Sequence, residues 1–179
     1  MSDTPLLAVR NLAISYGEKQ AVHGVNFCLH RGEILVLAGE SGSGKSTILR
    51  AVMGILDAGV CAGEILWEGM DVLRLAKDAR RKLAGEEIAM VFQNAGASFC
   101  PVRTIGSQIY ESVCAHRAWS YAEFRERAEA LMAQMQLPRM VLDEYPFRLS
   151  GGMAQRAGIA AAMLLQPKLI LADEPTSAL

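Results

Sequence analysis

The 179-residue chain is long enough for one domain with a core of its own, and 51% apolar residues place it among globular chains, not disordered ones. A net charge of −1 excludes a global pull toward nucleic acid or anionic lipid, although 18 lysines and arginines leave room for local patches. The four cysteines (Cys28, Cys61, Cys100, Cys114) are scattered without a Cys-x-x-Cys pair, which argues against a zinc site or a disulfide framework and fits a reducing compartment.

In chain order, the opening Met-Ser-Asp-Thr-Pro has neither a basic nor a hydrophobic region, so no signal peptide is predicted. Residues 7–16 and 21–29 alternate apolar and polar (Val9, Leu12, Ile14, Tyr16; Val25, Phe27, Leu29) around Gly17-Glu18, which predicts antiparallel strands. Residues 34–38 are apolar at every position, the pattern of a strand buried on both faces of a parallel sheet. They run directly into Gly39-Glu40-Ser41-Gly42-Ser43-Gly44-Lys45-Ser46-Thr47, the phosphate-loop spacing Gly-x4-Gly-Lys-Ser between a strand and a helix. Each part has a chemical use. Gly39, Gly42 and Gly44 allow backbone angles that a side chain would forbid, so that successive amides can surround an anion. A helix starting near Lys45 adds its unpaired N–H groups; Lys45 can reach β and γ phosphates, and the Ser46 hydroxyl can ligand Mg²⁺. A nucleotide site is therefore predicted.

The following helix carries Ile48, Leu49, Val52, Met53 and Leu56 on one face and is expected to end near Gly59. A short strand is predicted within Gly63–Gly69, a basic helix over 72–84 and a buried strand at Ile88–Phe92. The basic positions Arg74, Lys77, Arg80, Arg81 and Lys82 read as a solvated face. From about 94 to 150 the texture is helical. Ser120 and Glu123 form a capping-box pattern ahead of the stripe Tyr121, Phe124, Ala128, Leu131, Met132 and Met135, which reads as core. His23, His30 and His116 have no ligand spacing. The most apolar stretch, 158–172, is cut by Gln166-Pro167-Lys168 and is too short to span a bilayer.

Two further motifs carry chemistry. Leu169–Ala172 is an apolar strand ending in Asp173-Glu174, where ligands of open α/β sheets bind; Asp173 can hold Mg²⁺ through water and Glu174 can polarise an attacking water. Leu149-Ser150-Gly151-Gly152-Met153-Ala154-Gln155-Arg156 places a good N-cap before two glycines, leaving the first helical amides bare for an anion. A chain that already holds one phosphate loop has no evident use for a second γ-phosphate binder in the same pocket. Binding in trans, to nucleotide held by another chain, is the physical implication.

With these motifs in this order the chain resembles the ABC-type ATPases, whose signature is Leu-Ser-Gly-Gly-x-x-Gln. The resemblance implies an α/β fold: a P-loop NTPase core with a mostly parallel sheet, an N-terminal antiparallel β part and an inserted helical subdomain, with the C-terminal part missing. Residues 1–92 and 159–179 would form the core and 93–158 the helical signature subdomain. It also implies roles. Tyr16 matches the aromatic residue that stacks on adenine, Gln93 the lid glutamine that contacts metal and attacking water, and Ser177-Ala178-Leu179 the start of a loop crossing to the opposite subunit. ATP and Mg²⁺ are the implied ligands. The implied partners are a second cassette, identical or paralogous, closing head to tail, transmembrane permease subunits and, indirectly, a solute-binding protein, with no nucleic acid; the implied place of the chain itself is peripheral, on the cytoplasmic face of the membrane.

Residues 90–101 and 145–156 resemble the oligopeptide, dipeptide and nickel importers, with Met153 where many cassettes carry Gln. Ala95 in place of Pro and Cys100 in place of Asn depart from that pattern, and peptide versus nickel stays open. So do two rival readings, a soluble ABC-type ATPase acting on nucleic acid or ribosomes and a non-hydrolysing regulatory nucleotide binder. The family resembled continues beyond the position of Leu179 and includes a switch histidine, whereas no histidine follows Glu174 here. For these 179 residues alone the expectation is weak ATP–Mg²⁺ binding, poor hydrolysis and an exposed sheet edge.

Overall fold

A computed structural model describes residues 4–56, 61–93 and 95–175. They fall into two compact units, one up to Ala84 and one from Gly85 onward.

The first unit is built on an antiparallel sheet of order β2-β1-β3-β4, from β1 (Leu7–Tyr16), β2 (Lys19–Leu29), β3 (Cys61–Trp67) and β4 (Met70–Asp71). The predicted hairpin is present, in the register Val9↔Phe27, Leu12↔Val25 and Tyr16↔Lys19. Alternation is what fixes that register, because a one-residue slip would turn Val9, Leu12 and Ile14 outward. The three are now at most 1% exposed, as are Ile65 and Trp67 of β3. The register shifts around Asn11, whose N–H is satisfied by Asn26 Oδ1 at 2.9 Å.

Helix α1 (Lys45–Met53) buries Ile48, Ala51 and Val52. It ends earlier than expected. Gly54 adopts a left-handed conformation (φ 71°), and the Gly54 and Ile55 amides donate to the carbonyls of Ala51 and Arg50, closing the helix one turn before Gly59, which lies outside the described residues. Helix α2 (Lys77–Lys82) carries the basic face, with one exception. Arg80 is folded inward: its guanidinium donates to the Leu73 and Leu75 carbonyls at 3.2 and 3.1 Å, and its stem lies where a Cβ on Gly54 would fall.

The expectation for residues 34–38 is corrected. They form no strand, and Ile34 and Val36 are 93% and 78% exposed. An all-apolar strand is held only by ladder neighbours on its two sides, and among the described residues no strand pairs with it.

The second unit pairs β5 (Ile88–Val91) with β6 (Leu169–Ala172) in parallel, and the Asp173 amide extends the ladder to the Val91 carbonyl at 2.9 Å. Around this pair lie α3 (Ile105–Cys114), α4 (Tyr121–Gln134) and α5 (Gly151–Met163). Their shared core comprises Ile105, Ile109 and Val113, then Phe124, Ala128 and Met132, then Ala157, Ala160 and Leu164. The predicted stripe on α4 is therefore packing at Phe124, Ala128, Leu131, Met132 and Met135, whereas Tyr121, at the first position of the helix, is 51% exposed. Full burial of a side chain the size of Phe124 contributes about 2–3 kcal/mol. The capping box at Ser120 and Glu123 is complete in both directions.

Candidate functional site

The loop 39–47 adopts backbone conformations that few side chains tolerate. Gly42 and Gly44 have φ of 81° and 93°, angles that L side chains rarely adopt. At Gly44 space adds a second restriction, since a Cβ there would lie 2.5 Å from the Ala21 carbonyl oxygen of β2. Gly39 differs from expectation: it is not among the positive-φ glycines, and its constraint is the Ser43 hydroxyl, 2.7 Å from a hypothetical Cβ. Helix α1 begins at Gly44 with no side-chain cap and no acidic residue in its first turn, so its leading amides have neither an internal acceptor nor a competing negative charge. The Lys45 ammonium donates to the Gly39 and Glu40 carbonyls at 2.9 and 2.8 Å, which holds the cation over the loop. Uncapped amides beside a positive charge fit a phosphate chain. Ser46 and Thr47 are half-buried in the first turn of α1. Tyr16 stands at the end of β1 and is 37% exposed, presenting its ring at the surface of the same unit.

The second unit brings Gln93 and Glu174 together. Gln93 follows the buried β5, Glu174 follows β6, and the Gln93 amide donates to the Glu174 carboxylate at 2.7 Å. Because β5 and β6 are parallel and in register from Ile88↔Leu169 to Val91↔Ala172, their carboxyl ends deliver both side chains to one place. Asp173 is half-buried at that same strand end. Glu174 has φ 45°, the left-handed region, which for a non-glycine residue marks a constrained turn.

Helix α5 starts as its sequence predicts. Ser150 is the N-cap, its hydroxyl accepting from the Met153 amide at 3.3 Å, and no acidic residue occupies the first turn. Gly151 is exposed, and a Cβ on it would meet nothing within 4 Å. The tip is therefore open on the glycine side. Ser177-Ala178-Leu179 lie outside the described residues. No helix among the described residues is long and apolar enough to cross a membrane, and they contain no cluster of three metal-ligating side chains.

Sequence reasoning assigned no role to Gln155. It is the fully buried polar side chain of α5 (0% exposed), and its amide donates to the Pro175 carbonyl at 2.9 Å. The signal available was its place as the glutamine that closes the Leu-Ser-Gly-Gly-x-x-Gln pattern.

Comparison with known proteins bears on the family and the fold. The ABC transporter family profile matches residues 22–177. A metal-staphylopine import system ATP-binding protein of Staphylococcus aureus is 41% identical over 97% of this chain and 66% of its own length. The dipeptide transport ATP-binding protein of Escherichia coli is 40% identical over 97% of this chain and 56% of its own. The oligopeptide transport ATP-binding protein of Bacillus subtilis is 41% identical over 98% and 52%. The chain thus spans between about half and two thirds of the length of these curated relatives. Among solved structures, a dimeric bacterial ABC transporter cassette, MJ0796, superposes with a TM-score of 0.85 at 32% identity, covering 97% of this chain and 75% of that one. The same cassette bound to ADP and Pi gives 0.84.

Proposed function

This chain belongs to the ABC transporter family, and we propose that it is the ATP-binding, ATP-hydrolysing part of an importer subunit for peptides or for a metal such as nickel carried as a small chelate. The observation that carries the reading is the uncapped start of α1, with Gly42 and Gly44 in left-handed conformations and the Lys45 ammonium over the loop. The names of the relatives, import systems for dipeptides, oligopeptides and a metal–staphylopine complex, support the importer branch.

In this reading Gly39, Glu40, Ser41, Gly42, Ser43 and Gly44 supply the loop backbone that surrounds the phosphates, and Lys45 neutralises the β and γ oxygens. Tyr16 offers its ring face to adenine. Ser46, Gln93 and Asp173 are the oxygen donors suited to Mg²⁺, which when bound spreads the charge that develops between the β and γ phosphates. Glu174 accepts a proton from the water attacking the γ-phosphorus; the bond to the β–γ bridging oxygen breaks, and ADP and phosphate leave. The Gln93 amide donates to the Glu174 carboxylate, which ties the metal-facing side chain to the base at the shared strand end. Ser150, Gly151 and Gly152 close over the γ-phosphate held by a neighbouring cassette, identical or paralogous.

Residues 93–158 form the helical signature part, acting on permease subunits at the cytoplasmic membrane face, with a solute-binding protein beyond them. Hydrolysis by the full chain assembled with its permeases in vesicles tests this. Stimulation by a peptide-loaded or a metal-chelate-loaded binding protein identifies the cargo, and hydrolysis indifferent to both removes the importer assignment.

A further inference from the structure

Helix α5 touches both segments that carry the catalytic pair, one turn from its tip. Ala154 packs so closely on Gly96, three residues past Gln93, that a Cβ on that glycine would lie 2.6 Å from the Ala154 Cβ. The next residue, Gln155, reaches the Pro175 carbonyl directly after Glu174. Gln155 is fully buried, yet its Oε1 has no hydrogen-bond partner among the described residues. A buried acceptor left unpaired costs more than a single neutral hydrogen bond returns, so this amide is a poor choice for stability alone. A methionine would fill nearly the same space with no unpaired acceptor. What the amide supplies and methionine cannot is the N–H held on Pro175. That bond is made where the backbone needs holding, since Glu174 sits at φ 45° and such a residue keeps its conformation only when its surroundings enforce it.

We propose that Gln155 is a positioning residue for Glu174: its donor to the Pro175 carbonyl holds the strained turn that aims the carboxylate and ties that turn to the helix whose tip is Ser150-Gly151-Gly152. A displacement of the tip by a neighbour's nucleotide is then passed to the base through one side chain. The inference rests on the ATP-hydrolysis reading for its consequence, but not for its geometry.

The test is Gln155→Met in the full chain, read two ways. Amide hydrogen exchange at Asp173, whose N–H is held by the Val91 carbonyl at the entry to the turn, should rise about tenfold or more while Ala157 and Ala160 in the α5 core keep their protection and the melting midpoint does not fall. In the same protein kcat for ATP should drop about tenfold or more with KM changed less than about twofold, the pattern of an interaction felt in the transition state. Unchanged exchange at Asp173 overturns the proposal, as does a uniform rise across α5, which marks a merely structural role. Unchanged turnover in a protein whose wild type hydrolyses ATP overturns it as well. A wild type without hydrolysis sinks the ATPase reading instead, and the exchange result still decides for or against Gln155.

Discussion

The two glycine-flanked helix starts, at Gly44 and at Ser150, look alike in sequence and differ in what holds them. At α1 the glycine is required by the chain itself, because φ 93° and the Ala21 carbonyl 2.5 Å from any Cβ leave no alternative. At α5 the internal work is done by the Ser150 hydroxyl on the Met153 amide, and Gly151 faces space in which a Cβ would meet nothing. A glycine that its own fold does not need is free to serve an approaching group. The first tip is a cradle closed by its own chain. The second is an open face, the asymmetry expected if, as proposed, two cassettes share a nucleotide.

Gly44→Ala attacks the comparison where the effect is largest. The strained φ and the backbone clash together should cost on the order of 2–4 kcal/mol of stability, seen as a lower midpoint in urea. A loss under about 0.5 kcal/mol would mean the loop is not held against β2.

Lys45→Ala should leave stability nearly unchanged, because the ammonium rests on two exposed loop carbonyls. It should weaken ATP binding about 10- to 100-fold, which calorimetry measures, as removal of a charge-assisted contact does.

Gly151→Ala sharpens the other side. Stability should be unchanged or higher by up to about 1 kcal/mol, since alanine is the better helix former and finds open space. ATP affinity of the isolated chain should be unaffected, while hydrolysis in the assembled complex falls about tenfold or more. Lost ATP affinity in the isolated chain would place this tip in the chain's own pocket.

The smallest effect separates both tips from a helix start that is only structural. At α4 the Ser120 amide and hydroxyl donate to the Glu123 carboxylate at 2.8 and 2.9 Å, and these bonds hold its pKa below the ordinary value. A depressed carboxylate stabilises the fold above its unfolded pKa, and that contribution is lost as pH falls through the folded value. The stability advantage over Glu123→Gln, measured by urea titration, should be full at pH 7 and fade as pH drops below about 4. ATP binding at neutral pH should not distinguish the two.

How much of this was legible varies with the kind of signal. The β1–β2 hairpin and the Ser120 cap were readable because alternation and capping are local: the residues that decide them are neighbours in sequence. Residues 34–38 were misread because an apolar run states which environment a segment needs and not whether a neighbouring strand supplies it. Helix α1 closes at Gly54, although Gly59 offered the same letter further on, because the Arg80 stem packs at Gly54 and the amides of residues 54 and 55 find acceptors there. Within the site, the phosphate loop was visible as a spacing. The meeting of Gln93 with Glu174 depends on the parallel pairing of β5 with β6, which no local pattern encodes. Gln155 was visible as part of the signature pattern, but its contact was not, since its partner is twenty residues away and is a backbone atom.

The central claim, one nucleotide held by two cassettes, is tested most directly by asking whose signature tip a γ-phosphate touches. A tagged chain carrying Lys45→Ala, assembled with an unmutated neighbouring cassette, is exposed to ATP bearing a photoreactive group on the γ-phosphate. A shared nucleotide should label residues 149–156 on the tagged chain, because the neighbour's loop delivers it. Labelling that disappears with the chain's own Lys45 while the unmutated neighbour is still labelled at its tip would show each cassette serving itself, and would contradict the claim.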